Sequence, residues 1–185
     1  MEIIPQSIPE VLLFKPKVIL EERGFFVETM KKSILDDANL PDLVQHNQSR
    51  SKLGVIRGLH YQLINPQGKL VRCSYGKIFD VAVDVRKSSP TFGKSVTKIL
   101  DDVNHEQLWI PKGFAHGFMV LTELADFCYF CSDYYNPQSQ HGIAWNDPDL
   151  NISWPNLPPE KSVILSPKDK QNKNLNSKSN LDFFP

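Results

Sequence analysis

The chain has 185 residues, with 21 basic and 21 acidic side chains and a formal net charge of zero. That balance argues against a general nucleic-acid or membrane-surface binder, which needs a basic excess, although a few arginines in one pocket could still hold an anion. One domain is expected at roughly 100–200 residues per domain, and 41% hydrophobic with 10% aromatic residues is enough for a packed core.

From the N-terminus, MEIIPQSIPE carries an acid and prolines rather than a basic stretch followed by an apolar one, so it does not read as a secretory signal. Val11–Phe14 and Lys17–Leu20 are short apolar runs split by Pro16, and Gly24–Thr29 is aromatic and β-branched. Lys31–Asn39 is the best helix candidate, stopped by Pro41. Leu43–Gln48, Val55–Leu63 and Lys69–Tyr75 follow as strands, and Gly76-Lys77 turns the chain into Ile78–Arg86. There Phe79, Val81, Val83 and Val85 share one face, while Asp80 and Asp84 share the other with Ile78 and Ala82. If the second face lines a barrel, each carboxylate needs a partner, and histidine is a good one; if it lies outside, both are solvated charges.

Val96–Leu100, Gln107–Ile110, Gly117–Leu121 and Phe127–Ser132 complete the strands, with turn signals at Ser88-Ser89-Pro90, Pro111-Lys112-Gly113 and Asn136-Pro137. Many short strands with regular turns predict an all-β sandwich or barrel with few helices. After Asp147-Pro148 the chain turns proline-rich and polar, and residues 170–185 read as a polar, mobile tail after a single domain over 1–169. No run is apolar and long enough to span a bilayer. Cys73, Cys128 and Cys131 read as buried free thiols, which suits a reducing cytoplasm.

Chemistry concentrates in Val55–Arg72, where Arg57, His60 and Lys69 stand in or beside strands that a purely structural core would fill with apolar groups. A metal-binding jelly roll would show H-x-H and a carboxylate here; this chain has His60-Tyr61-Gln62, so metal ligand spacing is missing. His116, bracketed by Gly113 and Gly117, reads either as a turn histidine or as a site residue. Tyr129, Tyr134 and Tyr135 pack, donate a proton or stack on a planar ring. Arg23, Phe25, Phe26 and Glu28 form a set suited to an anionic, planar ligand, or to an ordinary edge strand. No Gly-rich phosphate loop opens a helix, so NAD binding is not expected.

The stretches ERGFFVE (22–28), RGLHYQ (57–62), QGKLVR (67–72), FDVAVDVRKSSPTFG (79–93), LWIPKGFAHGF (108–118), ADFCY (125–129), YYNP (134–137), WNDPDLNISWP (145–155) and LSPKD (165–169) together resemble the dTDP-4-dehydrorhamnose 3,5-epimerase family. The resemblance covers most of the chain, from about Glu22 to Asp169. It implies a cupin-type jelly-roll barrel, a homodimer with sites shared between subunits, a dTDP-linked 4-keto-6-deoxy sugar as substrate, and epimerisation with no cofactor. It further implies His60 as general base, Asp169 as its carboxylate partner, Lys69 beside the developing enolate and Tyr129 as proton donor on the opposite face. Arg57 and His116 match substrate-binding positions, and Tyr135 the ring that stacks on thymine. Arg23, Phe25, Glu28, Gln45, Asn47 and Lys168 match nucleotide-sugar contacts. Gln140 departs from the pattern, standing where the family often has glutamate; its amide can still donate and accept. A mono-epimerase or ketoisomerase on the same fold, a non-catalytic sugar-nucleotide binder and a metal-dependent cupin are the rival expectations.

Overall fold

The computed structural model describes residues 1–177 and 183–185. Residues 178–182, part of the expected tail, lie outside the described residues. In chain order the strands are β1 (Glu2–Pro5), β2 (Leu12–Lys15), β3 (Val18–Glu21) and β4 (Gly24–Val27), then helix α1 (Lys32–Asp37). They continue as β5 (Gln45–Lys52), β6 (Ile56–Gln62), β7 (Lys69–Tyr75), β8 (Lys77–Asp84), β9 (Ser95–Asp101), β10 (Gln107–Ile110), β11 (Phe114–Val120), β12 (Leu124–Cys131) and β13 (Gln140–Gly142).

The pairing is nested: β5 lies against β12, β6 against β11, β7 against β10 and β8 against β9, all antiparallel. An eight-stranded ribbon folded in this way is a jelly roll. It closes as two facing sheets, ordered β1-β2-β10-β7-β12-β5 and β13-β6-β11-β8-β9, with β3 and β4 forming a separate hairpin. The expected all-β jelly roll is the observed fold.

Strand alternation sorts the side chains into three layers. Val71, Ile78, Ala82, Leu108, Ile110, Phe118 and Phe127 meet between the sheets. Val81, Val83 and Val85 point outward from the second sheet and pack under Ile143, Leu150, Leu175 and Phe183. On the outer face of the first sheet Phe14, Leu70 and Trp109 are covered by Leu35 of α1. Each such side chain contributes roughly 1.5–3 kcal/mol on burial, so both faces of β8 have reason to be apolar. The residues of 170–177 and 183–185 are thus not a free polar tail: Leu175 and Phe183 are 6% and 7% exposed and belong to the second layer. Their apolar side chains override the polar composition around them.

The face of β8 left open by the alternation is the interior one. Asp80 and Asp84 are both wholly buried there and both have partners. Asp84 receives the Arg86 guanidinium at 2.7 and 2.9 Å and the hydroxyls of Ser89 and Thr91 at 2.6 Å each. Burial pushes its pKa up, but the hydrogen bonds from Arg86, Ser89 and Thr91 outweigh that and hold it at about 2. The carboxylate thereby ties the turn after β8 to the end of the barrel.

Candidate active site

Between the sheets, the apolar filling gives way at one end to a cavity of about 510 Å³. Its walls carry one polar side chain after another from neighbouring strands: Asn47 of β5, Arg57 and His60 of β6, Lys69 of β7, His116 of β11 and Tyr129 of β12. Tyr135, Gln140, Lys168 and Asp169 complete the rim.

Arg57 and His60 are three residues apart, so in a regular strand they would face opposite sides. They share the cavity because β6 carries a bulge. His116 pairs with His60 and Phe118 with Arg57, so three steps on β6 match two on β11. Gly58 sits in the bulge at φ +125°, and a Cβ there would meet Gly117 Cα at 2.5 Å and the His116 carbonyl at 2.7 Å. Only glycine suits both the backbone and the close approach.

His60 Nε2 lies 2.5 Å from Asp169 Oδ1, and the two side chains are 25% and 4% exposed. The histidine therefore reaches the cavity while its carboxylate partner is shielded. The other carboxylate oxygen accepts a 2.9 Å hydrogen bond from Ser166 Oγ. Burial pushes the Asp169 pKa up; the His60 and Ser166 hydrogen bonds and nearby Lys168 more than reverse this, leaving it below the usual carboxylate value. An ionised carboxylate on Nε2 fixes that nitrogen as the donor and leaves Nδ1 as the basic one.

Lys69 opens β7 with its side chain directed inward, and among the described residues it makes no side-chain hydrogen bond. Burial lowers its pKa, with Cys131 and Asp80 acting in the opposite direction. The phenol of Tyr129 is pushed up by burial and by Cys131, with Arg57 opposing, so it stays protonated at neutral pH. Arg57 is steadied by Ser51, whose Oγ accepts from Nε at 3.0 Å. His116 stands in mid-strand and faces inward, with Nε2 2.9 Å from Asp80 Oδ2. The reading of His116 as a turn histidine is corrected, since β11 begins at Phe114, directly after the Pro111-Lys112-Gly113 turn. Burial keeps its pKa low despite Asp80, so the imidazole is neutral.

At the rim, Gln140 Oε1 accepts from Tyr135 Oη at 2.8 Å and from Lys168 Nζ at 2.5 Å. Gln45 lies just behind, accepting from the Tyr135 backbone N–H and donating to Asn47, both at 3.1 Å. Arg23, Phe25 and Glu28 do not line the cavity. Arg23 pairs with Glu21 on the exposed β3–β4 hairpin, Phe25 packs its ring 4.4 Å from that of His105, and Glu28 is exposed. Asp80 and Ser166 were the partners hardest to assign from sequence. The alternation of β8 flagged Asp80, and the Ser-x-x-Asp spacing of 166–169 is a capping signature that could have flagged Ser166. Among the described residues, no three His, Cys, Asp or Glu side chains converge as a metal site, and no helix is long and apolar enough to cross a membrane.

A jelly roll enclosing a histidine–carboxylate pair, a desolvated lysine and a protonated tyrosine defines a cupin-type protein equipped for proton transfer in a polar cavity. Residues 5–177 match the family described as dTDP-4-dehydrorhamnose 3,5-epimerase. The chain belongs to that family. It is 51% identical over 173 residues to the dTDP-4-dehydrorhamnose 3,5-epimerase of Shigella flexneri, covering 91% of this chain and 93% of that one. The Neisseria gonorrhoeae enzyme of the same name is 50% identical over 171 residues, but this chain spans only 51% of its length. Among solved structures, the dTDP-6-deoxy-D-glucose-3,5-epimerase of Legionella pneumophila in complex with dTDP-4-keto-L-rhamnose superposes with a TM-score of 0.95 at 47% identity, covering 99% of this chain and 97% of that one.

Proposed function

We propose that the chain inverts C3 and C5 of dTDP-4-dehydro-6-deoxy-D-glucose, giving dTDP-4-dehydro-L-rhamnose. The observation that carries this reading is the meeting of the His60–Asp169 pair, Lys69 and Tyr129 in one cavity of a chain from this family.

The ketone at C4 makes the hydrogens on C3 and C5 acidic. His60 removes one of them, and charge develops on O4 as an enolate. Lys69 donates to O4; one such donor is typically worth about 3–4 kcal/mol in the transition state. Tyr129 then returns a proton to carbon from the opposite face, which inverts the centre; His60 gives its proton to water and the Tyr129 phenolate takes one back before the second carbon reacts. Protons leave and return without a change of oxidation state, so the route needs no redox cofactor. Asp169 holds the imidazole tautomer and stabilises the imidazolium. Arg57 and His116 bind the sugar diphosphate end, Tyr135 stacks on thymine, and Asn47, Gln45, Gln140 and Lys168 hold the nucleotide.

The working form is a homodimer in the cytoplasm. Its β3–β4 hairpin reaches the partner's cavity and brings Arg23, Phe25 and Glu28 to the nucleotide there. In support, these three residues lie outside their own chain's cavity, and the hairpin exposes Ile19, Leu20, Phe25 and Phe26. The three cysteines are free and buried, in keeping with a reducing compartment.

The test is to incubate the full chain with dTDP-4-dehydro-6-deoxy-D-glucose and identify the product by NMR. The expected product is inverted at both carbons, and turnover is insensitive to a chelator. Inversion at one carbon alone would make the protein a mono-epimerase, and unchanged substrate would make it a binding module.

A further inference from the structure

The contacts around Asp169 reach one residue beyond the set already assigned. Ser166 Oγ donates to Asp169 Oδ2 at 2.9 Å and accepts from the Asp169 backbone N–H at 3.1 Å. A hydroxyl has one proton and two lone pairs, so both bonds can exist at once. The carboxylate has Oδ2 engaged by Ser166 and Oδ1 engaged by His60. Rotating it about its own bond would break both contacts together. Ser166 precedes the 3-10 turn Asp169–Gln171, so the same hydroxyl that orients the carboxylate also satisfies a backbone donor at the start of that turn. The side chain lines the cavity and is itself exposed, whereas Asp169 is buried. Packing therefore does not explain the serine; its hydroxyl does.

We propose that Ser166 is a positioning residue for the proton transfer: it fixes the Asp169 carboxylate in the rotation that pins His60 Nε2–H and leaves Nδ1 as the base. This rests on the epimerase reading for its consequence on rate. The hydrogen-bond geometry itself can be tested without substrate.

The experiment compares Ser166→Ala, Ser166→Thr and Ser166→Val in the full chain. Thr and Val add the same bulk at an exposed position, but only Thr keeps the hydroxyl. A hydrogen bond to a charged group is worth about one to two decades in an equilibrium. The expected result is a fall in kcat of about tenfold for Ala and Val, with KM within about twofold, and most of the activity retained by Thr. In parallel, the downfield imidazole N–H resonance of the His60–Asp169 hydrogen bond should be sharp in the wild type and in Ser166→Thr. It should broaden or vanish in Ser166→Ala and Ser166→Val. If Ala and Val keep wild-type kcat and the resonance, or if Thr and Val lose both equally, the positioning role is overturned. A wild type with the resonance but no turnover would instead defeat the epimerase reading and leave the resonance series to decide on Ser166. Should Ser166→Ala fail to fold, the Thr and Val pair decides alone.

Discussion

Replacing Lys69 by methionine should move activity and stability in opposite directions. The lysine occupies an inward position on β7 and has its pKa lowered, chiefly by burial, so the folded protein holds the ammonium at a cost. Methionine keeps the length of the side chain and removes the charge. In the proposed mechanism Lys69 donates to the developing enolate, so its loss should remove about 3–4 kcal/mol of transition-state stabilisation, or roughly 10²–10³-fold in kcat. Replacing a desolvated charge by an apolar group of similar size is often stabilising, by about 1 kcal/mol or more. In a chain of this size each kcal/mol is worth about 2–4 °C in Tm. The pH dependence follows from the direction of the shift. The folded state binds this proton less tightly than the unfolded state does, so wild-type stability rises with pH as the folded-state lysine deprotonates. It stops rising once the unfolded-state lysine has also lost its proton. Lys69→Met should abolish that rise. Turnover by NMR and thermal unfolding by calorimetry measure the two effects. A variant with kcat within threefold of wild type, or one clearly less stable than wild type, would overturn this role for Lys69.

Two further substitutions test how the fold is held. Gly58→Ala places a Cβ 2.5 Å from Gly117 Cα on a backbone at φ +125°; it should destabilise the fold by about 2–4 kcal/mol in denaturant titration and displace His60 enough to cut kcat. A stability change under 0.5 kcal/mol would show that the bulge is not needed. Asp84 has its pKa lowered from 3.8 to about 2, so it contributes about 2 kcal/mol that is present above the unfolded-state value and lost as pH falls through the folded-state one. Asp84→Asn should therefore flatten the stability curve between about pH 4 and pH 2, and an unchanged acid limb would contradict this.

The sequence carried the strands where alternation was strong and lost them where it was weak. Ile78–Arg86 could be divided into faces residue by residue, and the fold puts those faces in two separate apolar layers. β5 was only half visible: Leu43–Gln48 read as the strand, yet β5 is Gln45–Lys52, QHNQSRSK, which has no apolar residue and is extended because β12 pairs with it. β1 and β13 went unseen, being four and three residues long and held by pairing with β2 and β6. The bulge that aligns Arg57 with His60 is a tertiary feature, since Gly58 and Gly117 meet only when β6 and β11 pair. The His60–Asp169 pair spans 109 residues, and no local pattern joins them; family resemblance supplied that link, and the geometry brings the two side chains into contact. Arg23, Phe25 and Glu28 show the opposite case, grouped in sequence but absent from the cavity lining.

In the proposed mechanism His60 reversibly removes carbon-bound protons. The most direct measurement of this step is incubation of substrate with the protein in D2O, followed by NMR of C3 and C5. Deuterium is expected at both carbons with the wild type and at neither with His60→Ala. Deuterium at both carbons with His60→Ala, at a rate near that of the wild type, would contradict this role for His60.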